Sequence, residues 1–253
     1  MREPMKKFIF MLFMVMPLFA QEKLAEPVSN ASDSYVIENS SYKLGFAGTY
    51  GSPVWEMHLL TPEMLSGTAE ANTNWKVDNR IKGYRLTLKD FDSRYEPVQL
   101  FPETHAQNNT ENKESSYYLS NLVFMSRQLK ESIWNKITES FEGIARTHKS
   151  AYLYAGPIFD KDSFKIRYIL NNKIAFPSHF YRIILYYENG KPQCKCYKIP
   201  NRIPTEYERA CSLEAFACNL YQLEAETNID FFDREIDANF RKDKMKFLEG
   251  QIQ

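Results

Sequence analysis

Residues 93–105, SRYEPVQLFPETH, contain two side chains whose types bear on catalysis, Gln99 and His105. An imidazole titrates near neutral pH and is a common general base, because its pKa lies close to the working pH. The glutamine amide does not titrate, so it orients water but takes no proton from it. His105 lies in a polar loop, where we expect a solvated side chain. The other histidines are expected to have structural roles: His58, His148 and His179.

The cysteines are clustered in a short C-terminal stretch, at Cys194, Cys196, Cys211 and Cys218. In an oxidising compartment an even, clustered set favours disulfide bonds. The first two are two residues apart on a predicted strand, so they share a face of that strand. Bridges from this strand to the segment that carries the other two are expected, and the sequence leaves the pairing open. A zinc site built from the same thiols is the alternative.

The first twenty residues follow the pattern of an export signal. Basic residues at positions 2, 6 and 7 precede an apolar run over 8–19, and a small residue, Ala20, closes it. A membrane anchor is the alternative, but a run of about 12 residues is shorter than the roughly 20 that cross a bilayer. We therefore predict a signal peptide over 1–20, a secreted or extracytoplasmic location, and no membrane span.

The composition is that of a globular protein without a net charge. The chain has 253 residues, of which 43% are hydrophobic, and its 32 basic residues balance its 32 acidic ones. A chain of this length and hydrophobic content can bury one sizeable core, so we predict a single domain over 42–233. A flexible polar leader is predicted over 21–41 and a charged tail over 234–253. Zero net charge excludes a protein held on nucleic acid by overall electrostatics, because phosphate binding normally needs a surplus of Lys and Arg. A local basic patch remains compatible with it.

The hydrophobic pattern predicts a mixture of strands and helices. Apolar residues recur at three- and four-residue spacing over 127–148, which indicates an amphipathic helix with one stripe against the core. A second amphipathic helix is predicted over 212–226. Strands are predicted over 53–60, 151–159, 179–187 and 194–199. The sequence therefore indicates an α+β fold.

Seven landmarks occur in an order that resembles the DNA/RNA non-specific endonuclease family, to which endonuclease G belongs. They are PVWEMHLLTPEML, YEPVQLFPE, YYLSNLVFMSRQLKESIWNKI, YAGPIFD, FPSHFYRIILYY, YKIPN and TNIDFF, and the resemblance covers residues 44–233. Each is weak alone, but their common order makes the resemblance specific. It implies the ββα-metal nuclease fold, in which a central antiparallel sheet is flanked by helices and the site lies where a strand meets a helix.

The resemblance implies a catalytic strand that this chain has altered. Active members of the family place Arg-Gly-His before a Leu, and the His takes a proton from water. The corresponding residues here are Pro97, Val98 and Gln99, followed by Leu100. A non-titrating amide therefore stands at the position of the base. Pro97 also removes a guanidinium that would steady phosphate charge.

The metal-binding half of the implied site is altered in the same way. The family carries an Asn shortly before a helical Trp, and its amide oxygen holds a hard divalent cation such as Mg²⁺. Alignment on Trp134 places Lys130 at that position, and an ammonium has no lone pair to offer a metal. The family's acidic residue farther along the helix falls at Thr138 or Glu139. Asn121 is retained, as a residue that shapes the site.

Three hypotheses about function follow from these substitutions. The first is a secreted, non-catalytic pseudonuclease that binds nucleic acid or protein and needs no cofactor. The second is an active, Mg²⁺-dependent endonuclease whose site is rebuilt around His105. The third is a disulfide-stapled structural domain.

The chain also resembles the nuclease-like domain of ecto-nucleotide pyrophosphatase/phosphodiesterases, which is non-catalytic. This likeness favours the first hypothesis.

Overall fold

A computed structural model describes residues 26–29, 34–83, 86–91, 95–232, 238 and 240 of the chain. The signal peptide predicted over 1–20 lies outside the described residues, and so does nearly all of the tail predicted over 234–253. Within the described part, no helix is both long enough and apolar enough to cross a membrane.

The described residues form twelve strands, and six of them make the central sheet. The strands are β1 (Val28–Ser29), β2 (Ser34–Glu38), β3 (Tyr42–Ala47), β4 (Ser52–Leu60), β5 (Glu96–Gln99), β6 (Leu122–Met125), β7 (Ala151–Ile158), β8 (Arg167–Ile169), β9 (Ile174–Phe176), β10 (His179–Glu188), β11 (Lys191–Pro200) and β12 (Ile229–Asp230). The central sheet is antiparallel throughout, in the order β11-β10-β7-β4-β3-β2. The predicted α+β fold with a central antiparallel sheet is confirmed.

The middle strands of the sheet are apolar along nearly their whole length because both faces of the sheet are covered. On one face, side chains such as Leu153 and Ile184 pack against the helix that follows β6. On the other face, Trp55, Tyr154 and Tyr181 pack with Phe231 and Phe232, which follow β12. A strand with two covered faces reads as a continuous hydrophobic run rather than as an alternating pattern.

The helix predicted over 127–148 is confirmed, and we call it the long helix. It begins as α2 (Arg127–Leu129), passes through a π-helical segment (Lys130–Trp134) and continues as α3 (Asn135–His148). Ser126 caps its start by accepting a hydrogen bond from the backbone N–H of Leu129, and Lys149, with φ 72°, ends it in the left-handed region. One side of the long helix is buried throughout, at Leu129, Ile133, Ile137, Phe141 and Ala145.

Strands β5 and β6 pair antiparallel beside the central sheet, and β6 leads through Ser126 into the long helix. This strand–strand–helix unit brings β5 next to the first turns of the long helix. The remaining α-helices among the described residues are short: α1 (Thr110–Ser115), α4 (Glu206–Ala210) and α5 (Leu220–Thr227).

Two sequence-based expectations differ from the structure. The segment predicted as a flexible leader over 21–41 contributes β1, which pairs with β12, and β2, which forms one edge of the central sheet. The single helix predicted over 212–226 is wrong, because the chain forms a 3-10 turn (Leu213–Phe216) and then α5. The break is held by a backbone hydrogen bond from Cys218 N to Cys196 O and by Asn219, which caps α5.

Candidate functional site

Gln99, at the end of β5, has both ends of its amide bonded within the protein. Its Nε2 donates to the carbonyl oxygen and to Oγ of Ser116, at 3.1 Å in each case. Its Oε1 accepts a hydrogen bond of 3.2 Å from the backbone N–H of Glu103. The side chain therefore joins β5 to the 3-10 turn Glu103–Ala106 and to the end of α1. In this arrangement it acts as a structural cross-link.

Asn121 fixes the backbone immediately after β5. Its Oδ1 accepts from Phe101 N at 2.9 Å, and its Nδ2 donates to Phe101 O and to Ser116 O, at 2.8 Å each. The backbone O of Asn121 also accepts from Leu100 N at 3.0 Å. Asn121 and Phe101 are completely buried. These contacts agree with the shaping role that the resemblance implies for Asn121.

Lys130 forms an ion pair with the first residue of β5. Its Nζ lies 2.9 Å from Oε1 of Glu96, and Nη2 of Arg127 lies 3.5 Å from the other carboxylate oxygen. The side chains of Lys130 and Glu96 are 36% and 24% exposed, so the pair that joins the long helix to β5 is partly exposed. The acidic group nearest to this position is therefore already neutralised by cations of the chain itself.

Arg182 is a buried residue of the site region that sequence reasoning missed. Its Cζ lies 3.6 Å from the centroid of the Trp134 ring, and its Nη1 donates to Oγ1 of Thr138 at 2.6 Å. The guanidinium thus packs under the long helix at the position predicted for an acidic residue. The alternation of β10 was a usable signal, because Phe180, Arg182 and Ile184 share the face that packs on the long helix.

His105 is not a solvated loop residue, and that expectation is wrong. It lies in the 3-10 turn Glu103–Ala106 with no exposed surface, and its Nδ1 is 2.9 Å from Nε2 of His58. Burial lowers the pKa of His105 to about 4, although the nearby carboxylate of Glu142 opposes the shift. Burial, reinforced by the charge of Arg182, lowers the pKa of His58 to about 3. The hypothesis of a site rebuilt around His105 has no support from this geometry.

Basic and aromatic side chains lie near the first turn of the long helix and near the start of β5. Beside the long helix lie the exposed Arg127 and Arg202, with Arg202 paired to Glu208 at 2.7 Å. Beyond the start of β5, the guanidinium of Arg167 stacks at 4.2 Å over Phe176 and at 5.7 Å over Tyr95. An open pocket of about 320 Å³ is lined in part by Asp160, Lys165, Arg167 and Asn201. Nζ of Lys165 lies 3.5 Å from Oδ2 of Asp162. We call Arg127, Lys165, Arg167 and Arg202 the basic rim.

The cysteines are brought together in part. Sγ of Cys194 and Sγ of Cys196 are 3.4 Å apart on β11, and Cys218 pairs with Cys196 through the backbone. Cys211 lies apart from them, at the end of α4. All four are free thiols in the structure, so the disulfide bonds stay a prediction. Among the described residues, no three His, Cys, Asp or Glu side chains come together as a set of metal ligands.

Comparison with known proteins identifies the family. A family model described as DNA/RNA non-specific endonuclease matches residues 20–238. The chain belongs to the DNA/RNA non-specific endonuclease family. Mitochondrial endonuclease G of Homo sapiens is 24% identical over 202 residues, which are 76% of this chain and 67% of that protein. Nuclease C1 of Cunninghamella echinulata var. echinulata is 22% identical over 214 residues, 78% of this chain and 82% of that one.

The fold of this endonuclease-family chain also matches a solved structure. The crystal structure of an EndoG/EndoGI complex, described as showing the mechanism of EndoG inhibition, superposes with a TM-score of 0.71 at 21% identity. The match covers 79% of this chain and 86% of that chain. At this identity the likeness establishes the fold alone. The family membership and the fold therefore agree with the resemblance in the sequence.

Proposed function

We propose that this endonuclease-family chain is an exported, non-catalytic member that binds nucleic acid without cleaving it. One observation carries the proposal: Nζ of Lys130 lies 2.9 Å from Oε1 of Glu96, where the family resemblance implies a metal-binding Asn. The donor set at this position does not fit Mg²⁺, because an ammonium offers no lone pair and the nearest carboxylate is already neutralised. The positive charge beside β5 is therefore supplied by the ammonium group of Lys130 and not by a metal ion.

The state of Gln99 supports the same conclusion about catalysis. General-base catalysis needs a group that accepts a proton and lies within hydrogen-bond reach of the attacking water. The amide of Gln99 accepts no proton at neutral pH, and its two ends are bonded to Ser116 and to the backbone of Glu103. The other candidate base, His105, has no exposed surface, so it does not reach a water molecule at the surface. Neither Gln99 nor His105 is therefore expected to act as a general base.

Binding is supported by the basic rim and its aromatic neighbours. Guanidinium groups recognise phosphates, and aromatic rings stack with unpaired bases, so a surface that combines them suits single-stranded nucleic acid. Arg167 is exposed and, among the described residues, makes cation–π contacts with Tyr95 and Phe176 rather than an ion pair. The other cations of the basic rim, Arg127, Lys165 and Arg202, are each paired with a carboxylate, at Glu96, Asp162 and Glu208. Arg167 is therefore the rim cation that we expect to contact a phosphate.

The test is the salt dependence of binding to a short fluorescent single-stranded DNA, followed by anisotropy between about 50 and 200 mM salt. We expect affinity to fall as salt rises, and Arg167→Glu to weaken binding and lower the slope of log Kd against log salt by about 1. Lys191→Glu is the matched control, because Lys191 is exposed at the opposite end of β10 and β11. Absence of binding at low salt, or equal effects of the two variants, would contradict the proposal.

A further inference from the structure

Three of the four cysteines lie on one side of the central sheet. Cys194 and Cys196 are two residues apart on β11, so their side chains point to the same face of that strand. Both pack, together with Cys218, in the apolar cluster that contains Trp55 and Phe231. Cys196 is buried, and the other two thiols of this cluster are partly buried. The fold therefore offers two partners for Cys196, one on its own strand and one on a later segment.

Cys196 and Cys218 are opposite each other across a short antiparallel contact. Tyr197 pairs with Ala217 in an antiparallel β-bridge, which makes Cys196 and Cys218 the next opposite pair. The backbone N–H of Cys218 donates to the carbonyl oxygen of Cys196 at 3.0 Å. Opposite residues of antiparallel strands have Cα atoms about 4.5–5.5 Å apart, and disulfides join Cα atoms about 4.4–6.8 Å apart. The backbone here therefore has the spacing that a disulfide needs.

Cys194 is the poorer partner for Cys196, although the two sulfur atoms are only 3.4 Å apart. Strand β11 pairs with β10 over its whole length, with Cys194 opposite Leu185 and Cys196 opposite Ile183. An extended strand rises about 3.3 Å per residue, so the two Cα atoms are about 6.6 Å apart, at the upper end of the disulfide range. A bond between these two cysteines would bend a strand that its pairing with β10 holds extended.

Cys211 belongs to another part of the fold. It follows α4, which is bonded to the long helix because Nζ of Lys136 donates to the carbonyl oxygen of Arg209 at 2.6 Å. The long helix covers one face of the sheet, whereas Cys196 and Cys218 pack on the other face. A bond from Cys211 to either of them would have to pass around β11, which is an edge strand of the sheet.

The surroundings of the opposite pair favour a structural bond over a reactive one. Burial, reinforced by the neighbouring Cys196, raises the pKa of Cys218 to about 12. The contact with Cys194, together with burial, raises the pKa of Cys196 as well. Because the thiolate is the species that attacks a disulfide, buried thiols of high pKa exchange slowly. Once formed, a bond between Cys196 and Cys218 should therefore persist.

We propose that Cys196 and Cys218 form a disulfide in an oxidising environment and that Cys194 and Cys211 stay outside it. A small-molecule disulfide, such as oxidised glutathione, is the oxidant. One protein thiolate attacks it, forms a mixed disulfide and expels a glutathione thiolate; the second attacks the protein sulfur of the mixed disulfide and expels the other glutathione thiolate. The protein loses two electrons and two protons, and the oxidant gains both as two thiols.

This bond fastens the segment that covers one face of the sheet. Cys218 directly precedes Asn219, which caps α5, and α5 leads through β12 to the buried Phe231. The bond closes a loop of about 20 residues, and a cross-link of this size stabilises a protein mainly by restricting the unfolded chain. The inference is independent of the proposed function, since none of the four cysteines belongs to the basic rim.

The test maps the disulfide in the full-length protein. The chain is equilibrated with reduced and oxidised glutathione until the number of free thiols is constant, alkylated, digested without reduction and analysed by mass spectrometry. Trypsin cleaves after Lys195 and a glutamate-specific protease after Glu214, so each cysteine lies on its own fragment. We expect the fragments of Cys196 and Cys218 to be joined. A bond between Cys194 and Cys196, a bond to Cys211, or four unbridged cysteines would overturn the proposal.

Urea unfolding with and without a reductant gives a second readout. We expect reduction to raise the unfolding equilibrium constant of the wild-type protein on the order of a hundredfold. The variant Cys218→Ser should be insensitive to the reductant, whereas Cys211→Ser, the matched control, should respond as the wild type does. An equal response of the two variants would contradict the assigned pair. If Cys218→Ser does not fold, the disulfide map of the wild-type protein decides by itself.

Discussion

Replacing Asn121 by Ala tests whether the end of β5 is held by one buried amide. The substitution removes three hydrogen bonds of 2.8 to 2.9 Å, two with the backbone of Phe101 and one with Ser116 O. Ser116 O keeps its bond from Gln99 at 3.1 Å, so two buried groups, the N–H and the carbonyl of Phe101, lose these partners. At about 1–3 kcal/mol for each buried polar group left without a partner, the expected loss is about 2–6 kcal/mol.

The assay for this prediction is urea unfolding followed by circular dichroism, in which the midpoint falls and the slope stays constant. Asn135→Ala is the matched control, because Asn135 is exposed on the long helix and its replacement should change stability by less than about 0.5 kcal/mol. A loss below about 1 kcal/mol for Asn121→Ala would refute the reasoning. It would mean that the backbone of Phe101 finds water or other partners without the amide.

Two further experiments test an ion pair beside β5 and the packing around two glycines. A double-mutant cycle of Lys130→Ala and Glu96→Ala should give a coupling of about 0.2–1 kcal/mol that weakens with salt, because the pair is partly exposed; a coupling above about 2 kcal/mol would show that it is desolvated. Gly45→Ala should cost about 1–3 kcal/mol in thermal or urea unfolding, because its methyl group would overlap the indole of Trp55. The same change at Gly143, which meets open space on the long helix, should instead stabilise the protein by about 0.5–1 kcal/mol, and equal effects at the two glycines would contradict the packing.

Local periodicity was enough to predict the long helix and the middle strands of the sheet. Their apolar residues repeat at helical spacing in the helix and run continuously in the strands. Both patterns match the structure because these apolar residues are the ones that pack in the core. Strand β2 was missed because it is an edge strand in a polar segment, with Val36 46% exposed. The helix predicted over 212–226 is interrupted by a backbone hydrogen bond from Cys218 N to Cys196 O. Because Cys196 lies outside that segment, the local sequence pattern does not predict the interruption.

The site was predictable in its residue types but not in its contacts. Aligning the landmarks predicts Gln99 at the position where the family resemblance implies a base and Lys130 where it implies a metal ligand. The partner of Lys130, Glu96, is 34 residues away, and only the pairing of β5 with β6 brings the two together. His105 is flanked by polar residues that stay exposed, such as Thr104 and Asn108, while residues distant in the sequence bury its ring.

We propose that this member of the DNA/RNA non-specific endonuclease family neither binds a catalytic metal nor cleaves nucleic acid. The most direct measurement is calorimetric titration of the wild-type protein with Mg²⁺ and Mn²⁺, with plasmid DNA and RNA cleavage assayed in parallel beside an active nuclease. The double variant Gln99→His, Lys130→Asn, which restores a titrating base and an amide ligand, is the comparison. We expect the wild type to give no binding heat and no cleavage, and the double variant to gain one or both. Metal binding with cleavage by the wild type would contradict it.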